Sequence, residues 1–128
     1  MKYYINTILD TDFETAIIKV TEALKKEGFG VISDIDFQQK MKEKLNVDFR
    51  KYRILGACNP PIALHALQNE DKIGTMLPCN VIVQEIGDRK IEVAAVDPIA
   101  SMQAIENEKL GPIAIEVKAS LQRVIDSL

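Results

Sequence analysis

Residues 52–61 read YRILGACNPP, an apolar run that passes through two small residues and stops at two prolines. Such a run predicts a β-strand that ends at the prolines, and the helix-compatible segment Ile62–Asn69 follows at once. This order places the thiol of Cys58 and the carboxamide of Asn59 at a strand-to-helix junction. Backbone N–H groups are free at a helix N-terminus and the helix dipole favours negative charge there, so the junction is a candidate binding site.

Residues 77–81 read LPCNV and repeat the Cys-Asn pair beside a proline, here at the start of a strand. In a regular strand Cys79 shares a face with Val81 and Val83, which predicts that its thiol lies on the core side. A fold that brings the two Cys-Asn pairs together would make a patch of amide and soft-sulfur groups. A carboxylate at the end of the adjacent strand would add to that patch, so the candidate ligand-binding residues are Cys58, Asn59, Cys79, Asn80 and Asp97.

Periodicity predicts the remaining elements. Strands are expected at Tyr3–Ile8, Gly30–Ile35, Arg50–Ala57, Leu77–Ile86 and Lys90–Val96. A first helix is expected from a Thr11/Glu14 capping box to Gly28, and a second, with a narrow apolar stripe, after a cap at Asp36. A short helix is expected around Met102–Ile105, and a long last helix opens at Gly111-Pro112.

The last two strands are joined by Gly87-Asp88-Arg89, a loop whose length and glycine predict an antiparallel hairpin. The chain is therefore predicted to be one α+β domain, residues 1–128, with a mixed, largely antiparallel sheet and helices mainly on one face. A doubly wound parallel sheet is the weaker interpretation, because no helix separates these two strands and no Gly-rich phosphate loop is present.

Composition indicates an ordinary globular domain of 128 residues with 47% hydrophobic residues. The formal net charge of −3 argues against general nucleic-acid binding, which needs positive potential over the phosphates. Six basic residues lie between Lys40 and Arg53, a run more typical of a solvated helix face than of a binding surface. The polar N-terminus is unlike a signal peptide and no apolar run reaches membrane-spanning length, so a cytoplasmic protein with free thiols is expected.

The sequence contains no GxGxxG, P-loop, HExxH or CxxC motif. His65, the single histidine, falls on the polar side of its helix, so it is expected to face water. With Cys58 and Cys79 it gives three Cys/His residues, fewer than the four of a structural zinc site. Cys58 is either a thiolate stabilised at a helix N-terminus or a small residue packed at a crowded junction, and Asn59 is expected to be the helix N-cap.

Several of these segments together resemble the bacterial and archaeal family called domain of unknown function 302. The resemblance spans nearly the whole chain and is carried by Gly28–Val31, Asp36, Leu45, Ile54–Pro60, Ala63, Ile73-Gly74, Leu77–Val81 and Asp97-Pro98. It implies a compact α+β domain similar to TATA-box-binding-protein-like folds, assembled as a homodimer. Neither an activity nor a cofactor can be inferred from this resemblance.

Three functions remain open at this point. The favoured one is a small-ligand or metal-binding module at the two Cys-Asn segments. The second is a thiol-based redox protein or enzyme with Cys58 as nucleophile and Cys79 as resolving partner, although no base is evident. The third is a structural or partner-binding homodimer without chemistry of its own.

Overall fold

The computed structural model describes residues 2–128. The strands are β1 (Tyr4–Asp10), β2 (Gly30–Asp36), β3 (Tyr52–Cys58), β4 (Cys79–Gly87) and β5 (Lys90–Val96). The helices are α1 (Phe13–Lys26), α2 (Phe37–Leu45), α3 (Pro60–Asn69), α4 (Pro98–Ser101) and α5 (Leu110–Asp126), with a 3₁₀ helix at Asp71–Met76.

The five strands form one sheet in the order β1-β5-β4-β3-β2, and every neighbouring pair is antiparallel. The predicted hairpin of β4 and β5 is confirmed and contributes the central strand and one of its neighbours. The sheet also has a β-bulge in β2 between Val31 and Ser33. An α+β fold with an antiparallel sheet is therefore confirmed, and its sheet is antiparallel throughout.

Alternation along the strands places one face of the sheet in the core. Val81, Val83 and Val93 are fully buried on that face, as β-branched residues of a central sheet should be. The helices α1 and α5 cover it with their apolar stripes, through residues such as Val20 and Leu121. Both long helices follow the period predicted for them, and their packing on one face agrees with the predicted layer arrangement.

Two local predictions were wrong for physical reasons. Asp12, rather than Thr11, caps α1 and accepts from the backbone N–H of Thr15 at 2.8 Å, because a carboxylate is the stronger acceptor beside the helix N-terminus. The short helix expected around Met102 instead begins at Pro98, where Asp97 provides the cap.

The opposite face of the sheet carries no helix layer within residues 2–128. We call it the open face; its central strands present Ile54, Ile82, Gln84, Glu92 and Ala94, which are cross-strand neighbours. α2 buries no residue and contacts the sheet at its end, where the Phe37 ring lies edge-on to that of Tyr52 with centroids 6.1 Å apart. α2 is thus a surface helix, as its narrow stripe predicts.

Gly56 allows β3 to lie close to β2 and to the residue before β4. A Cβ at this position would lie 2.2 Å from Ser33 Oγ and 2.7 Å from Pro78 Cγ. The serine can change rotamer, but the proline ring cannot, so a side chain here forces the backbone to shift.

We predict that Gly56→Ala lowers the free energy of unfolding by about 1–3 kcal/mol through this overlap. Urea denaturation followed by circular dichroism measures the change. Gly30→Ala is the matched control, because it also lies in a strand but a Cβ there meets nothing within 4 Å. Equal stability of the two variants would contradict the close approach at Gly56.

Candidate functional site

The two Cys-Asn segments meet where β3 ends and β4 begins. Ala57 lies opposite Cys79 in the ladder and Gly56 lies opposite Asn80. The antiparallel pairing therefore brings together chain segments that the sequence alone could only propose as neighbours. α3 starts at Pro60, immediately after Cys58 and Asn59, as predicted.

A cavity of about 310 Å³ lies between α3, α5 and these strand ends. Cys58, Asn59 and Cys79 line it. The rest of its wall is almost entirely apolar and includes Phe29, Ile62, Ala66, Leu77, Met102 and Val117. Ile32 and Leu67, which are 66% and 41% exposed, also line it, so the space opens to solvent on that side. No Asp, Glu, Lys, Arg or His among residues 2–128 contributes to the wall.

The two thiols in the wall differ in exposure. Cys79 is 8% exposed, whereas Cys58 is half-buried, and neither forms a disulfide. Burial, with a smaller contribution from the nearby Cys58, raises the pKa of the Cys79 thiol to about 11. Cys79 is therefore a protonated, weakly reactive thiol near neutral pH. Its place beside Val81 and Val83 on the core side is as predicted.

Asn59 is the N-cap of α3, as expected, and its side-chain oxygen accepts from the Ile62 N–H at 3.4 Å. The expectation of free N–H groups at this helix start was wrong. Pro60 and Pro61 have no N–H to offer, and the Ala63 N–H donates to the Asn59 carbonyl at 2.9 Å. The N–H groups of residues 60–63 are thus missing or occupied, so the first turn of this helix lacks the donors of an anion site.

Asn80 and Asp97 lie away from the cavity. Asn80 follows Cys79 in a strand, so its side chain points to the opposite face and borders a second, more polar depression on the open face. Asp97 is nearly buried, caps α4 by accepting from the N–H groups of Ile99 and Ala100, and pairs with Lys118 at 2.8 Å. The structure thus brings together three of the five candidate residues.

Hydrogen bonds within the chain stabilise the ionised Asp97 carboxyl although it is nearly buried. Desolvation acts to raise its pKa, but the hydrogen bond from Lys118 and those from the backbone of Ala100 and Ile99 outweigh it, so the pKa lies below its usual value. Such a carboxylate stays ionised and has its lone pairs occupied by the chain itself.

The part of the chain that the structure describes contains no group of side chains arranged to bind a metal ion. No three His, Cys, Asp or Glu side chains converge within residues 2–128. His65 is exposed, as predicted, and its Nδ1 lies 3.5 Å from the Asn69 side-chain nitrogen.

Sequence reasoning missed most of the cavity wall. Phe29, Met102 and Val117 come from three distant parts of the chain and look like ordinary core residues in the sequence. The apolar stripe of α5 indicated that Val117 would be buried, but not that a space would remain beside it. The low burial of α3, in which Ala66 is the one fully buried residue, is the structural reason for that space.

Comparisons with known proteins agree with this architecture. A family model described as "Domain of unknown function DUF302" matches residues 5–128. The chain is similar to the crystal structure of an uncharacterized conserved protein DUF302 from Bacillus stearothermophilus, with 26% sequence identity, a TM-score of 0.91 and coverage of 98% of each chain. No curated protein matches the chain. No helix within residues 2–128 combines the length and the apolar character needed to cross a membrane.

We predict that iodoacetamide labels Cys58 well before Cys79 in the folded protein at neutral pH. Cys79 is nearly buried and its pKa is about 11, so its labelling should accelerate only as the pH approaches that value. Peptide mass spectrometry measures both rates. Urea-unfolded protein is the control, in which the two cysteines should react alike. Equal labelling in the folded state would contradict the burial of Cys79.

We predict that Asp97→Ala lowers the free energy of unfolding by about 1–3 kcal/mol, because Lys118 and the α4 cap lose their acceptor. The wild-type contribution is present above the unfolded pKa of 3.8 and is lost as the pH falls through the lower folded pKa. The difference between wild type and variant should therefore shrink in strong acid. Glu116→Ala, an exposed change on α5, is the control for denaturation curves at neutral and acidic pH. A difference that is independent of pH would contradict the role of the carboxylate.

Proposed function

Since the chain belongs to the DUF302 family, whose description names no activity, we propose from the geometry of the cavity that this domain binds a small, uncharged and mostly apolar molecule. The observation that carries the proposal is the cavity of about 310 Å³ at the β3–α3 junction. Its volume falls at the lower end of the range of about 300–1,000 Å³ that is typical of ligand pockets.

The wall determines the class of ligand. Contact with aliphatic and aromatic side chains such as Phe29 and Ile62 removes apolar surface of the ligand from water. This favours binding by about 0.8 kcal/mol for each buried methylene of the ligand. Water in such a space finds few hydrogen-bond partners and is readily displaced. The proposed ligand is therefore one whose binding is driven by apolar contact.

Charge is disfavoured in this cavity. A carboxylate or phosphate would meet neither a cationic side chain nor a free helix N–H, because Asn59 and the prolines account for the first turn of α3. An ammonium group would meet no carboxylate. A buried charge without such partners costs several kcal/mol, which is about what a small ligand gains from apolar contact.

The polar groups of the cavity wall would orient the bound ligand. Within the chain, the Asn59 oxygen is occupied by its cap, and its side-chain nitrogen has no hydrogen-bond partner among residues 2–128. Cys58, half-exposed, adds a weak donor. A single carbonyl or ether oxygen on the ligand would match these two groups.

The alternative of a thiol enzyme has less support. The cavity wall holds no side chain that serves as a general base for Cys58, and the resolving partner that the hypothesis needs, Cys79, is nearly buried and protonated at neutral pH. We therefore favour a binding module over catalysis at these cysteines.

We predict that naphthalene, a neutral apolar probe, shifts the NMR signals of Cys58, Ile62 and Val117 in a saturable manner. Naphthoate, which adds a carboxylate to the same rings, should bind at least about tenfold more weakly because the charge finds no partner. Ala63→Phe fills the cavity from α3 and should abolish the naphthalene shifts.

Leu64→Phe is the matched control, since it adds a ring to the neighbouring, exposed position of the same helix. Binding that survives Ala63→Phe, or naphthoate that binds as well as naphthalene, would contradict an uncharged ligand at this site. Retained circular dichroism in both variants shows that the fold is intact.

A further inference from the structure

A depression of about 400 Å³ lies on the open face of the sheet, away from the cavity of the proposed function. All three tyrosines of the chain line it, together with one carboxylate and two carboxamides, namely Tyr3, Tyr4, Tyr52, Glu92, Asn80 and Gln84. Its floor includes Ala94, a small residue between its larger cross-strand neighbours Ile82 and Asn6. We call this site the tyrosine depression; unlike the cavity, it combines aromatic rings with a charged group.

The sheet register places the polar groups of the tyrosine depression at two ends, about 13 Å apart. Gln84 is the cross-strand neighbour of both Tyr52 and Glu92, so these three residues form one row across β3, β4 and β5. Tyr4 lies opposite the residue four positions along β5 from Glu92. Asn80 lies four positions along β4 from Gln84. The depression is therefore elongated, with its carboxylate at one end.

The Glu92 carboxylate is half-buried and has no cationic partner within residues 2–128. Its two oxygens accept from neutral amides instead, from Asn6 at 2.9 Å and from Gln84 at 2.7 Å. These amides satisfy hydrogen bonds but leave the negative charge unbalanced. A cation placed beside Glu92 is therefore attracted, and more strongly than in bulk water because the group is half-buried.

Two cations of the chain itself lie over tyrosine rings of the depression. Lys2 Nζ is 4.9 Å from the centroid of the Tyr4 ring, and Arg50 Cζ is 5.5 Å from that of Tyr52. Both cationic side chains are exposed, and neither pairs with Glu92. The ring faces at both ends thus attract positive charge, as the quadrupole of an aromatic ring should.

The end of the depression far from Glu92 fits an uncharged group. The rings of Tyr3 and Tyr4 lie nearly perpendicular, with centroids 5.1 Å apart and an interplanar angle of 74°, so they form an aromatic corner. Asn80 is exposed at the same end, and its side-chain amide can donate to a carbonyl oxygen.

We propose that the tyrosine depression binds an alkylated ammonium ion that carries a short acyl chain, with the ammonium beside Glu92 and Tyr52. The chain lies over Ala94 and ends against the rings of Tyr3 and Tyr4. An alkylated ammonium has no N–H to satisfy and is held by charge and ring faces alone, which suits a carboxylate whose oxygens already accept from amides. The net charge of −3 adds a general attraction for cations. This site does not depend on the proposed function.

Titration with butyrylcholine, followed by calorimetry and by intrinsic fluorescence, tests the proposal. The chain has no tryptophan, so its fluorescence arises from the three tyrosines, all of which line the depression. We expect a saturable fluorescence change. Butyrylcholine should bind at least about tenfold more tightly than its uncharged analogue with carbon in place of nitrogen, because only the cation gains from Glu92 and the rings.

Two pairs of variants locate the binding. Glu92→Gln keeps the size of the side chain and should remove the preference for the cation. Glu116→Gln makes the same change of net charge at an exposed position of α5 and should keep that preference. Ala94→Phe fills the depression and should weaken both probes. Ile86→Phe is its matched control, because Ile86 is 48% exposed in β4 and lies outside the depression.

Three results would each overturn the proposal: no saturable change at millimolar butyrylcholine, equal affinity for the two probes, or a preference for the cation that survives Glu92→Gln. Should circular dichroism show that Ala94→Phe unfolds the chain, the two probes on Glu92→Gln and Glu116→Gln decide the matter. The naphthalene shifts at the cavity should persist in Glu92→Gln, so failure of this site and failure of the proposed function are distinguishable.

Discussion

Two consecutive prolines after β3 are the constraint on which the site depends. Pro60 and Pro61 cannot continue the strand ladder, and they occupy the helix positions where a missing N–H costs least. The remaining donors of the turn bond to Asn59, through its side chain and its carbonyl. The chain therefore turns from β3 into α3 without an open anion site. α3 then runs beside the sheet end with little burial, which leaves an apolar space rather than a filled core.

The period of a strand explains why the candidate residues separate. Cys79 and Asn80 are adjacent in sequence and therefore point to opposite faces of β4, one toward the cavity and one toward the open face. The same period could have been applied to the Cys-Asn pair from the sequence alone, and it would have removed Asn80 from the site. For Asp97 no such argument was available, because its partner Lys118 lies in another element and only tertiary packing brings them together.

Much of the fold was predictable because local patterns agree with the tertiary structure. The helical period of the apolar residues predicts the buried sides of α1 and α5. The residues of the turns predict the β4–β5 hairpin and the N-cap at Asn59. The strand order and the cavity depend on contacts between distant segments, such as Phe29 with the β3–α3 junction. A sequence pattern shows that a side chain is apolar, but it does not show whether its neighbours fill the space beside it.

Ligand binding as proposed requires that the β3–α3 junction forms an accessible, uncharged apolar cavity. A crystal structure under xenon pressure tests it directly, because xenon occupies apolar cavities without needing any polar partner. We expect anomalous xenon density between Phe29, Ile62 and Val117. Density only at other places, or ordered water hydrogen-bonded throughout this space, would contradict it.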